Sequence, residues 1–302
     1  MWVPVDAVLV LTGPTCSGKT ALAIDLAERF DAEIVGADSR QVYRGMPIGT
    51  AAPSDAQLAR VPHHLVGFLD PQDRYSAARF TADALAAIAA IAGRGKRAIV
   101  AGGTGFYLRA LAGDVALSPA YDPELRARLA REAHLHPPDV MHAWLAARAP
   151  ERAAQLAAGD RYRVARALEI ALSEAADSSA GVRNPADSLR ARGVRALKLA
   201  LEVPAAALEV RIAARVDAML ADGFVDEARR IGAAAVAASA VGYPQALAYL
   251  DGRSTEAELR ASLVRATRRY AKRQGTWLRS EPGLRWIEPS AAAAAVRSEL
   301  GW

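Results

Sequence analysis

Cysteine is nearly missing from this chain: Cys16 is the single one in 302 residues. No disulfide can close within the chain, and a reducing, cytoplasmic compartment is expected. Long apolar runs are missing too. No stretch approaches the roughly 18 consecutive apolar residues a membrane helix needs, so no membrane partner is expected. The opening "MWVPVDAVLV" has no basic segment ahead of its short apolar run, which ends in a glycine loop and reads as a strand, not a signal peptide. Repeats are absent as well, since "GAAAVAASA" and "SAAAAAV" are biased but too short to count. Charge of one sign is not dominant. Lys and Arg number 38 against 33 Asp and Glu, a net +5 that permits a polyanionic partner without requiring one.

What is present is a chain long and apolar enough, with 52% hydrophobic residues, for a large core. The clearest signal is "GPTCSGKT", Gly13, Pro14, Thr15, Cys16, Ser17, Gly18, Lys19 and Thr20, a G-x-x-x-x-G-K-[ST] phosphate loop between a β-rich run and a helical pattern. Backbone N–H groups of such a loop and the positive end of the following helix hold an anion. Lys19 is placed to reach a terminal phosphate, and the Thr20 hydroxyl to ligate Mg²⁺. Most chains with this ATP-binding-type motif use ATP or GTP. Cys16 beside a helix N-terminus reads either as a small filler or as a reactive thiol.

Strand-like runs "EIVGAD" and "RAIVAGG", separated by a helical pattern, follow the loop. This alternation predicts an α/β fold: a parallel sheet flanked by helices, P-loop NTPase-like, with Gly13 to Thr20, Asp38 and Thr104 on the rim beyond the strand ends. Residues 121–191 turn helical and Arg-rich, closing with "SEAADSSAGVRNPADS" as a loop. They are read as an insertion domain in a catalytic core of 1–120 and 192–302. "RALKLALEV" then alternates, with Lys198 and Glu202 opposite the leucines, and returns to the sheet; the C-terminal third reads as helical.

A nucleotide hydrolase needs an aspartate at the end of a second strand to help hold Mg²⁺ and position water. Here that strand ends "IVAGGTGFY", with glycine and threonine in its place. Asp38 is the nearest strand-end acid. It serves either to cap its turn or as a base facing the loop.

"GPTCSGKT", "DSRQVYRGMPIGTA", "PHHLVGFLDPQDRYSAARFTADA", "GGTGFYLRAL", "RALEI", "VGYPQALAYL" and "TRRYAKRQGTWLR" occur in the order and approximate spacing of the tRNA dimethylallyltransferases. The chain resembles that family from about residue 8 to about residue 287. The resemblance implies that the loop holds the diphosphate of dimethylallyl diphosphate, and that the allyl group passes to the exocyclic amine of the adenosine 3′ of a tRNA anticodon. It implies catalytic roles for Lys19, Asp38 as base, Thr104 against the target adenosine and Arg215 at the diphosphate, with Mg²⁺ at Thr20 and a monomeric enzyme. Asp38, Ser39, Arg40 and Gln41 correspond to the segment that touches the target nucleotide.

An anticodon stem-loop needs grips on both sides of a flipped base. Arg265, Arg268, Arg269 and Lys272 make a basic stripe on one helical face, with Tyr270 and Trp277 nearby, which is either a solvated face or an RNA contact. Tyr162, Arg163 and Arg166, Arg126 less strongly, and Val241, Gly242 and Tyr243 match family positions facing tRNA. Pro47, Ala52, the short "GAAAVAASA" and Pro244 depart from the family pattern. His63 and His64 match a family dipeptide but suggest no metal site, because adjacent side chains point apart. A small-molecule kinase, a prenyltransferase of free adenine nucleotides and a non-catalytic RNA-binding module are the alternatives.

Overall fold

Six parallel strands, β1 (Ala7–Thr12), β2 (Ala32–Gly36), β3 (His63–His64), β4 (Arg97–Ala101), β5 (Arg195–Leu201) and β6 (Leu284–Ile287), form a sheet in the order β3-β2-β4-β1-β5-β6. The computed structural model describes residues 5–115, 117, 122–176 and 187–302. Every residue of β1 and β2 is buried, as expected of parallel strands covered on both faces. Leu9, Leu11, Ile34, Ile99, Leu199 and Leu201 pack with Ile24 and Leu26 of the helix Lys19–Arg29, with its C-cap Phe30, and with Val296 of the helix Ala292–Leu300. The helix Ala77–Gly93, with Phe80, Leu85, Ile88 and Ile91 fully enclosed, lies against β2 and β4.

Because all strands run the same way, the ends of β1, β2 and β4 open on one rim. β2 stops at Gly36 and β4 at Ala101, each two residues before the predicted end. There the two chains turn while in contact: a Cβ built on Gly102 would lie 2.1 Å from the Ala37 carbonyl oxygen. Only glycine permits that approach.

Two strand readings change. The C-terminal third is not wholly helical, since β6 pairs with β5 as a four-residue edge too short to show a period. Lys198 does not face solvent either; it is 7% exposed and its Nζ donates to Asp114 and, at 2.7 Å, to Glu281. A charge among alternating leucines is held inside by two carboxylates.

A second core lies within the same unit. Val42, Tyr43 and Met46 pack with Val216 and Met219 of the helix Ala205–Ala221, Phe224 and Ala228 of Phe224–Ile231, Tyr243 of Tyr243–Leu250, and Leu259 and Leu263 of Glu256–Leu278. This core carries the segment after Asp38 and the helices bearing Arg215 and the basic stripe.

The chain divides into two compact units, Met1–Val115 with Asp187–Trp302, and Ala116–Ala186. The division falls at 116 and 186 instead of 121 and 191 because residues 187–191 belong with the sheet. Leu189 is buried and its N–H donates to the Leu111 carbonyl at 2.8 Å. The expected loop over 173–188 starts later than read, since residues 173–176 are the last turn of the helix Arg161–Ala176; its residues 177–186, and the expected boundary residue Tyr121, lie outside the described residues. The second unit has helices Pro123–Leu135, Pro138–Arg148, Pro150–Ala154 and Arg161–Ala176 around Leu129, Met141, Leu145, Val164 and Leu168.

Candidate active site

The phosphate loop leaves β1 at Gly13 and enters its helix through Gly18, whose φ of 91° is left-handed. Glycine adopts that conformation at no steric cost, so the chain turns directly from strand into helix. Inside the loop the N–H groups of Cys16, Gly18, Lys19 and Thr20 have no acceptor among the described residues, and the helix has no side-chain cap. Free amides at a helix N-terminus are a site for an anion.

Lys19 and Arg215 face this loop. Lys19 Nζ reaches only the Pro14 carbonyl, at 3.4 Å. Arg215 donates through Nη1 to Thr15 Oγ1 at 2.6 Å and through Nη2 to Gly49 O at 3.5 Å, while its buried Nε and the buried Ser17 Oγ lack partners. Arg211 adds a bond to Ser17 O at 3.3 Å. Neither Lys19 nor Arg215 meets a carboxylate among the described residues. Burial holds the Lys19 ammonium below the usual lysine range; Asp38 opposes that shift and Arg215 adds to it. A multiply charged anion would satisfy the amides, both cations and the orphaned Arg215 Nε together.

Asp38 lies two residues beyond β2 and caps the turn that follows it. Its Oδ1 accepts the Arg40 N–H at 2.9 Å, closing an Asx turn, while Oδ2 has no donor among the described residues. Lys19, Thr20, Asp38 and Gln41 line one cleft with Ile34, Val66 and Gly102. Thr104 stands at the N-cap position of the helix Gly105–Ala112 without a side-chain cap bond; its hydroxyl instead accepts the Ser39 N–H at 2.9 Å. The segment after Asp38 and the turn bearing Thr104 are thus tied together. Gln41 is less free than the resemblance implies, because its amide donates to the carbonyls of Thr50 and Ala51 at 3.1 and 2.9 Å.

The helix Glu256–Leu278 exposes Arg265, Arg268, Arg269 and Lys272 as one stripe. Trp277 is no part of that face: its ring lies against Gly105, where a Cβ would sit 2.0 Å away, with Arg109 stacked on it at 4.2 Å. Tyr243 is also placed differently from the expectation. It is 0% exposed and its hydroxyl donates to Glu227 at 2.6 Å, so it cannot touch RNA, and Gly242 is buried beside it. Glu227 itself accepts the N–H groups of Ile48 and Gly49 at 2.9 and 2.7 Å. It thereby holds the turn whose Gly49 carbonyl faces Arg215, a role the sequence reading missed.

Within the helical unit Tyr162 is 78% exposed and the Arg163 side chain 71% exposed. Arg126 and Arg166 instead converge on the buried Glu169, Arg126 at 2.9 Å. They neutralise an interior carboxylate, which places them as structural cations before any RNA contact. His63 and His64 are directed at separate partners, Val61 O at 2.8 Å and Glu33 at 2.7 Å.

Known proteins resemble this chain in sequence and fold. The family model described as IPP transferase matches residues 41–281, and that described as Isopentenyl transferase matches residues 6–67. A tRNA dimethylallyltransferase from Anaeromyxobacter sp. (strain K) is 48% identical over 290 residues, covering 93% of this chain and 92% of the relative. One from Xanthomonas campestris pv. campestris (strain 8004) is 48% identical over 299 residues, covering 93% and 89%. Among solved structures, the full-length tRNA isopentenylpyrophosphate transferase of Bacillus halodurans superposes with a TM-score of 0.70 at 31% identity, over 98% of this chain and 96% of that one. A eukaryotic dimethylallyltransferase acting on tRNA, at 24% identity and a TM-score of 0.74 over 97% and 77%, shares the fold. With Lys19 and Thr20 of a phosphate loop sharing one cleft with Asp38, a family match over most of its length and relatives at 48% identity, the chain belongs to the IPP transferase family, that of the tRNA dimethylallyltransferases.

Proposed function

We propose that this chain transfers the dimethylallyl group from dimethylallyl diphosphate to the exocyclic amine of the adenosine immediately 3′ of a tRNA anticodon, releasing diphosphate. The observation that carries the reading is a cationic cradle, Lys19 and Arg215 around free loop amides with neither ion-paired among the described residues, opposite the Asp38 carboxylate, whose Oδ2 has no donor among them. The adenine amine attacks the allylic carbon; the C–N bond forms as the C–O bond to diphosphate breaks, and the amine proton passes to Asp38. That amine is a weak nucleophile because its lone pair is delocalised into the ring, so removing its proton assists the step. Loop amides, Lys19 and Arg215 stabilise the departing diphosphate. Thr104, held against Ser39, orients the base. No water is activated, which agrees with Gly102, Gly103 and Thr104 following β4 where a hydrolase has an aspartate.

Mg²⁺ fits this donor set. The Thr20 hydroxyl and the Asp38 carboxylate are hard oxygen donors on one cleft, and among the described residues no group of three or more His, Cys, Asp or Glu makes an all-protein cage. Thr20 would be its protein ligand, with diphosphate and water completing the shell. Bound there, the ion supplies charge neutralisation to the leaving group. The enzyme is read as a monomer acting on tRNA in the cytoplasm.

Thermal protection tests the donor. Dimethylallyl diphosphate with Mg²⁺ should raise the melting temperature, and protection by ATP alone would favour a kinase instead. Reversing the charges of Arg268 and Arg269 should weaken tRNA binding and flatten its salt dependence by roughly one unit of log–log slope per lost phosphate contact. An unchanged slope would return that stripe to solvent.

A further inference from the structure

The helix Glu256–Leu278 has an inner face formed by Leu259, Leu263, Ala266, Gln274 and Leu278, all buried. One of these is polar. Gln274 is 8% exposed, and a buried amide must be paired at both ends. Its Oε1 accepts the Thr15 N–H at 2.8 Å, across 259 residues of sequence, and its Nε2 donates to the Gly103 carbonyl at 3.0 Å. Thr15 belongs to the phosphate loop; Gly103 immediately precedes Thr104. The approach leaves no slack, since a Cβ built on Gly103 would lie 2.4 Å from Nε2. Thr15 is therefore held twice, by Gln274 at its amide and by Arg215 at its hydroxyl. Its amide is withdrawn from the anion cradle and used to set the position of the loop.

From this geometry we infer that Gln274 is a positioning residue that fixes the spacing between the two reacting partners. One end of its amide holds the loop that binds the leaving group, and the other holds the turn that presents Thr104 to the acceptor base. The same helix exposes Arg268, Arg269 and Lys272 on its opposite side, so the element read as gripping RNA is also the one that sets donor against acceptor. The inference rests on the transferase reading. Transfer depends on the allylic carbon meeting the amine in line, whereas binding of either substrate alone does not. Loss of the bridge should consequently appear in turnover and not in affinity.

The experiment compares wild type with Gln274→Met, which removes both bonds at similar volume, and Gln274→Glu, which keeps an acceptor for Thr15 but sets a carboxylate against the Gly103 carbonyl. Both variants should lower kcat by about 100-fold, with KM for dimethylallyl diphosphate and for tRNA within about threefold of wild type. Hydrogen exchange gives a readout independent of activity. The Thr15 amide should exchange faster in Gln274→Met and stay protected in Gln274→Glu. A folded Gln274→Met or Gln274→Glu protein with kcat within about threefold of wild type, or with kcat unchanged and both KM values raised, overturns the inference. So does a Thr15 amide equally protected in all three proteins. Wild-type protein that transfers nothing would count against the transferase reading, and the exchange comparison would still decide whether Gln274 holds the loop.

Discussion

Replacing Asp38 by asparagine is expected to lower kcat for transfer by roughly 10²- to 10⁴-fold, the range for losing a positioned general base, while leaving affinity for the diphosphate donor nearly unchanged. Asparagine isolates the chemistry from the fold. Its side-chain oxygen can still accept the Arg40 N–H that Oδ1 accepts now, so the Asx turn after β2 survives. The free oxygen becomes an amide nitrogen that cannot take a proton. Thr104 keeps its bond to Ser39 N–H, and the base-facing turn stays in place. Steady-state kinetics with tRNA, together with donor affinity from thermal shift, separate the two effects. Equal losses of turnover and donor affinity would show that Asp38 holds the cradle instead of acting as the base.

Removing the Lys19 charge should have the complementary signature. Lys19→Ala is expected to lower kcat/KM by roughly 10²- to 10³-fold, as loss of one stabilising group on a developing anion does, with tRNA affinity preserved. The reason is visible in the free protein: the ammonium has only the Pro14 carbonyl at 3.4 Å and lies near Arg215. Burial and that like charge disfavour its protonated form, with Asp38 in partial opposition. The sign of the pH dependence follows. In the free protein the burial penalty is present below the folded-state pKa and is relieved as pH rises toward the ordinary lysine range of 10.5, so folding stability gains across that window. Donor binding runs the other way. It requires the ammonium, takes up a proton above the free-protein pKa, and should weaken with rising pH earlier than an ordinary lysine would dictate. Donor affinity in Lys19→Ala should lack that limb. A wild-type affinity that stays flat up to the ordinary lysine range would contradict this role.

Much of the site was legible because its motifs are local. The loop, Asp38 and Thr104 each follow a strand within a few residues, and parallel strands bring such positions to one rim. The short edges β3 and β6 were not legible, since two or four residues carry no period and their pairing is decided by neighbours far away in sequence. Gln274 lies within "TRRYAKRQGTWLR", where the charged residues dominate, yet it is a polar residue in register with the buried leucines. That register was the available signal. Tyr243 was misplaced because a family match records identity, not exposure, and its partner Glu227 looks like any other helical acid. Arg126 and Arg166 read as surface cations for the same reason: Glu169 shows itself as buried only after the helices pack.

The central claim is that the loop holds a leaving group for transfer to an adenine amine. Incubating the protein with bulk tRNA, Mg²⁺ and labelled dimethylallyl diphosphate, then digesting the RNA and identifying the labelled nucleoside, tests it most directly. The label should be recovered as adenosine carrying the dimethylallyl group on its exocyclic nitrogen, confined to the position 3′ of the anticodon. Hydrolysis of the donor without transfer, or label on free adenine nucleotides and none in the RNA, would contradict it.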